Sequence, residues 1–94
     1  MTNQQLDIEA LGDHDYLAYV GMDDDTVTLR VRADPAVVSR IAGVEADETR
    51  VIAATIAYLT ERQRADDLPT DLDLQDVATF YDDYVEHLHR ELQR

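Results

Sequence analysis

The chain has no cysteine, no lysine and no tryptophan, and only one serine, two prolines and three glycines among its 94 residues. Without cysteine there is no disulfide, no thiolate metal site and no cysteine nucleophile. The single serine, Ser39, stands between Val38 and Arg40 with no Gly-x-Ser-x-Gly elbow around it, so it lacks the setting of a serine nucleophile. Gly12, Gly21 and Gly43 lie far apart, which excludes a glycine-rich phosphate loop, and no cofactor signature appears. Aromatic residues make up 6%, so any core must come mainly from Val, Ile, Leu and Ala. The longest charge-free, apolar-rich run is Val51–Thr60, well short of the roughly 20 residues that a bilayer-spanning helix needs. Met1–Gln5 has neither the basic nor the apolar stretch of a secretory leader, so a cytoplasmic location without membrane contact is expected.

What is present in excess is acid. Asp and Glu number 21 against 8 basic residues, all arginine, for a net charge of −13. Such a surface repels phosphate backbones and anionic lipid heads, so direct nucleic-acid binding is not expected. One explanation is adaptation, since an acid-rich, lysine-free chain fits a salt-loving or high-GC origin. The other is function: an acidic surface docks a basic partner or imitates nucleic acid. Hydrophobic residues still make up 45%, which is normal for a globular protein and too high for a disordered one. The length suits one domain over residues 1–94, burying about 60–65% of its unfolded surface.

Hydrophobic periodicity sets out the elements. In residues 1–13, Leu6, Ile8 and Ala10 alternate as in a strand, but Leu11 and Gly12 could equally close a short helix; this segment is read as an N-terminal arm. Residues 15–33 read as a β-hairpin turning at Asp23-Asp24-Asp25. Pairing Met22 with Val27, Val20 with Leu29, Ala18 with Val31 and Tyr16 with Ala33 collects the apolar residues on one face. It sets Tyr19 opposite Arg30 and Leu17 opposite Arg32 on the other. A register shifted by two preserves the same faces, whereas a shift by one mixes them.

Three helices are expected after the hairpin. Asp34-Pro35 provides an N-cap and N1 proline for a helix over 35–42, and Gly43 with Val44 suits a Schellman ending. Asp47 caps a second helix over 48–67, whose stretch Val51–Leu59 is uncharged on every side and so reads as the buried central element. After the loop Pro69–Asp73, with Asp71 or Asp73 as cap, the stripe Leu74, Val77, Ala78, Tyr81, Tyr84, Val85, Leu88, Leu92 predicts a long amphipathic helix over 74–92. The fold class is therefore α+β, an N-terminal β-hairpin packed on three helices.

Several constellations resemble functional sites. Asp13-His14-Asp15 sits at the start of the hairpin, where Asp and His commonly serve turns, and supplies no matched ligand set. His87 and His89 are about 200° apart on a helix and cannot share one ion; Asp83 and His87 lie i,i+4 but lack a third ligand. Asp23-Asp24-Asp25 lacks the spacing and distal Glu of a calcium loop. An enzymatic cleft would have to combine Asp83, His87 and His14.

The stronger candidates are for partner binding. Tyr19, Arg30 and Arg32 gather on the hairpin's outer face, the one basic spot foreseen on an acidic chain, in residue types enriched at interfaces. A lone two-stranded sheet leaves both edges free, which offers a dimer contact. Phe80 falls about 100° off the stripe of the last helix. Packing against the hairpin or the arm is the simpler expectation for it, and an exposed interface anchor the alternative. The functional expectation is a non-enzymatic protein–protein interaction or regulatory module, without cofactor or metal, using Tyr19, Arg30, Arg32 and Phe80. The alternative is an acidic nucleic-acid mimic that fills the basic groove of a DNA- or RNA-binding protein, with Asp76, Asp83 and Glu86 in a row along the last helix.

Overall fold

Seven residues of strict alternation, Thr26–Arg32, form the strand β3, and the strand before it, β2 (Asp15–Gly21), pairs with it antiparallel. These assignments come from a computed structural model that describes residues 6–21, 25–43 and 47–93. The expected turn at Asp23–Asp25 and the expected Val44 contact lie largely outside those residues.

The register is the two-residue alternative: Val20 faces Val27, Ala18 faces Leu29 and Tyr16 faces Val31. Charge explains the choice. This register sets Asp15 opposite Arg32, whereas pairing Tyr16 with Ala33 would set Asp15 opposite Asp34. Opposed like charges destabilise a strand pair, and opposed unlike charges contribute about 0.2–1 kcal/mol.

The arm is a strand. Leu6–Gly12 forms β1, antiparallel to β2, and a bulge between Ala10 and Gly12 leads into the turn. Asp13 (φ 54°) and His14 (φ 68°) both occupy the left-handed region. Two such residues make the primed turn whose twist suits a tight hairpin, and Asp and His tolerate that region better than most side chains.

The next element, α1 (Pro35–Ala42), starts as expected. The Asp34 carboxylate accepts N–H groups from Ala36 at 2.9 Å and Val37 at 3.4 Å. Gly43 ends it at φ 92°, ψ 171°, a region open essentially to glycine alone and different from the left-handed cap of a Schellman ending.

Asp47 caps α2 (Glu48–Thr60) by accepting the Thr49 N–H at 3.0 Å. This helix is shorter than the 48–67 expected, and it is not buried all round. Val51, Ile52, Thr55, Ile56, Tyr58 and Leu59 face the core, while Ala57 is exposed and Ala53 and Ala54 are half-buried. Alanine has little apolar area to hide, so these residues give helix propensity without demanding burial. At its end Arg62 folds back to donate to the Tyr58 carbonyl at 2.8 Å, satisfying a terminal carbonyl with a cation. A 3₁₀ turn (Ala65–Asp67) then buries Ala65 and Leu68.

The segment expected as a loop contains β4 (Asp71–Asp73), parallel to β3, which completes a four-stranded sheet in the order β1-β2-β3-β4. The expected last helix is two helices. Asp73 caps α3 (Leu74–Phe80), Tyr81 is extended, and α4 (Tyr84–Leu92) follows. The break coincides with Asp82-Asp83, a pair that favours caps over helix interior.

The helices cover one face of the sheet. Ala18, Val20, Leu29 and Val31 pack with Val37, Ile41, Ile52, Ile56, Leu59, Leu74 and Leu88 into one core. Each fully buried Leu or Ile contributes about 1.5–3 kcal/mol. Tyr84 is the largest side chain wholly inside, and its hydroxyl lies 2.7 Å from that of Thr55.

Candidate partner-binding surface

The sheet's second face has no helix over it among the described residues, and it carries the first candidates. Glu9, Leu17, Arg30 and Asp71 form one row across the four strands, and Asp7, Tyr19 and Thr28 another. Tyr19 is half-buried and donates to the Glu9 carboxylate at 3.0 Å, which raises the phenol's pKa. Tyr19 therefore does not face Arg30, as the expected pairing had it; the charge-guided register puts Leu17 there.

The spot around Arg30 and Arg32 is not basic. Arg30 donates to Asp15 at 3.1 Å and stands across from Asp71, and Arg32 stands between Asp15 and Asp73. With Asp76 these residues line one shallow depression, two guanidinium groups among four carboxylates. The hairpin's edges are not free either, because β1 takes one and β4 the other. The expectation of two free hairpin edges is thereby corrected: a lone hairpin exposes both, and this sheet fills both from within the chain.

Phe80 is brought to the surface. It is 81% exposed, so the expected packing against the hairpin or arm does not occur. Extended Tyr81 ends α3 directly after it and turns the chain inward. Phe80 stands at a groove of about 400 Å³, whose apolar walls include Leu59, Leu68, Pro69, Leu72, Val77 and Tyr81. Asp67, Asp71, Asp73 and Asp76 also line it, so the groove is apolar within and acidic about. Sequence reasoning marked Phe80 by its position off the helical stripe. It missed Leu68, Pro69 and Leu72, because only the 3₁₀ turn and β4 bring them alongside α3.

The polar clusters elsewhere are tied up in the fold. Glu48 accepts from His14 Nδ1 and from the Tyr16 hydroxyl, both at 2.7 Å, fastening the β1–β2 hairpin to α2. Burial first, and then this carboxylate, push the Tyr16 phenol up to about 12. Ten residues along α2, or about 15 Å, Tyr58 donates to Asp83 at 2.6 Å. The Arg62 guanidinium covers the Tyr58 ring at 3.6 Å, Tyr81 meets it edge-on at 5.6 Å, and His87 lies 5.2 Å away. Burial raises the Tyr58 phenol to about 12, and the hydrogen bond from Tyr58 lowers the Asp83 pKa. His14 and His87 are thus engaged at separate points along α2, and with Asp83 they form no common cleft. His89 points elsewhere again, its Nδ1 donating at 2.8 Å to the Ile41 carbonyl at the end of α1. Among the described residues, no three His, Asp or Glu side chains are placed to hold a metal ion, and no helix is long and apolar enough to cross a membrane.

Comparison with protein-family models, curated proteins and solved structures yields no match.

Proposed function

We propose that this protein is a small, non-enzymatic interaction module that holds a protein partner in the groove beside Phe80. The supporting observation is Phe80 itself, a large aromatic side chain left 81% exposed at the mouth of an apolar groove in a chain with only six aromatic residues. Aromatic anchors seated in desolvated grooves dominate protein–protein affinity. The other polar clusters have structural partners that account for them, such as Glu48 with His14 and Tyr16, and Asp83 with Tyr58. Nucleic-acid mimicry is less favoured. Its row of carboxylates requires one continuous helix, whereas Asp76 and Glu86 sit on separate helices and Asp83 is bonded to Tyr58 at the break.

Site-specific photo-crosslinking tests the proposal. A photoreactive phenylalanine analogue at position 80 should join a partner that the same analogue at Thr28, on the open sheet face, does not. Once that partner is purified, Phe80→Ala should weaken its binding by about tenfold or more. A partner joined from position 28 alone, or bound equally by Phe80→Ala, would overturn the proposal.

A further inference from the structure

The groove's charge specifies what it would accept. Four carboxylates line it, from Asp67, Asp71, Asp73 and Asp76, and no arginine does. None of the four forms an ion pair among the described residues. Asp73 has a local task, accepting the Gln75 N–H at 2.9 Å to cap α3. Asp67, Asp71 and Asp76 are exposed around an apolar floor. The fold gathers four carboxylates here on a chain already at −13, with Arg30 and Arg32 beside Asp71 and Asp73 on the sheet side but outside the groove.

We infer that the occupant is a short basic segment of a partner protein, with a large apolar side chain that enters the groove against Phe80 and flanking Lys or Arg residues that meet Asp67, Asp71 and Asp76. This rests on the interaction-module reading and names the partner's chemistry. A second copy of the chain is a poor occupant, because each copy brings a net charge of −13 and the Arg30/Arg32 spot is surrounded by its own carboxylates. Anionic ligands are repelled for the same reason. The volume, about 400 Å³, suits a few side chains and not a whole domain face. Opposite charge at the rim speeds encounter and discriminates between partners more than it adds affinity, so the apolar anchor should dominate binding.

The test uses the full chain and a random twelve-residue peptide display library, with counter-selection on the Phe80→Ala variant. Enriched peptides should be basic and carry at least one large apolar residue. A synthetic enriched peptide should lose about three- to tenfold in affinity on Asp71→Asn/Asp76→Asn. It should lose little on Asp7→Asn/Glu86→Gln, which removes the same charge elsewhere, and its affinity should fall as NaCl rises. Enrichment of neutral or acidic apolar peptides that still require Phe80 would overturn the basic partner and leave the groove as a docking site. Equal losses in the two charge-neutralised variants would overturn rim recognition in favour of the protein's overall field. Enrichment that ignores Phe80 would overturn both the occupant and the groove.

Discussion

Removing the Thr55 hydroxyl by Thr55→Val should cost more than removing its partner's hydroxyl by Tyr84→Phe, although both changes break the same hydrogen bond. The two oxygens lie 2.7 Å apart in a fully buried site. Thr55 Oγ1 also lies 2.8 Å from the Val51 carbonyl, which can only accept, so the one threonine proton goes there. The Tyr84 hydroxyl must therefore be the donor to Thr55. Thr55→Val, nearly equal in volume, strands that buried donor at a cost of about 1–3 kcal/mol. Tyr84→Phe leaves Thr55 bonded to Val51 and loses only the net value of one hydrogen bond, about 0.5–1.5 kcal/mol. In the double variant the stranded donor is gone, so its cost should fall well below the sum of the single changes. The cycle then gives a coupling energy of about 1–2 kcal/mol. Urea unfolding followed by circular dichroism measures all four proteins, and equal slopes would confirm that only stability has changed. Thermal midpoints should order accordingly, with about 4–8 °C per kcal/mol for a domain of this size. Additive costs, or a Tyr84→Phe cost equal to that of Thr55→Val, would refute the assigned donor direction.

Three further outcomes follow from the same structure. Tyr16 and Tyr58 are held to about 12 in the folded chain against about 10 unfolded, so between those pH values the unfolded state has released protons that the native state keeps. Their contribution is complete below pH 10 and is lost at about 1.4 kcal/mol per pH unit for each tyrosine above it; denaturant titrations from pH 9 to 12 should show the fall, and a shallower fall in Tyr16→Phe/Tyr58→Phe, where only the raised Tyr84 and Tyr19 phenols remain, would assign their share. Gly43→Ala should destabilise by about 1–3 kcal/mol through backbone strain alone, because a Cβ there meets nothing within 4 Å; an unchanged melting temperature would refute the glycine-only conformation. NaCl should stabilise the fold: at 0.01 M the Debye length of about 30 Å exceeds the 12.5 Å radius of gyration, so the charges repel across the whole molecule, and at 1 M, where it is about 3 Å, they do not. Calorimetry should show Tm rising by roughly 5 °C or more, and a flat profile would mean that local pairs such as Asp15–Arg30 already balance the field.

The elements legible in the sequence are those whose signal is local. Alternation in Thr26–Arg32, Asp34-Pro35 before α1 and Asp47 before α2 each name an element without reference to anything distant. The misses share a cause. Whether Leu6–Gly12 is a strand depends on β2 offering it an edge, and its turn sits at Asp13 and His14, residue types common in turns of every kind, so they do not by themselves announce a hairpin. β4 is three residues long, too short to display alternation, and exists because Thr70 accepts the Arg30 N–H at 2.7 Å and Leu72 has Val31 beside it. The stripe from Leu74 to Leu92 runs through the α3–α4 break because both helices face the same core, so periodicity alone does not register the interruption. Of the site, Phe80 was legible as a residue out of phase, but its groove was not, since its walls come from the end of α2, the 3₁₀ turn, β4 and α3, which follow one another in the chain and meet only because β4 joins the sheet.

The two surfaces that the sequence suggests separately meet in the structure at one short strand. Asp71, Leu72 and Asp73 border both the depression containing Arg30 and Arg32 and the groove beside Phe80. A parallel strand of three residues has little ladder to hold it, and one that begins and ends in aspartate would meet Asp15 across the sheet if β3 were not cationic there. Arg30 lies opposite Asp71 and Arg32 opposite Asp73, so each guanidinium separates a β4 carboxylate from Asp15 on the far side. An acidic chain can therefore add an acidic strand to its sheet, and only with that strand in place do Leu72 and the Asp71 and Asp73 carboxylates stand across from Phe80. Under the proposed function the arginine pair would bear on binding only through the cationic row it sets beside β4, since neither guanidinium lines the groove.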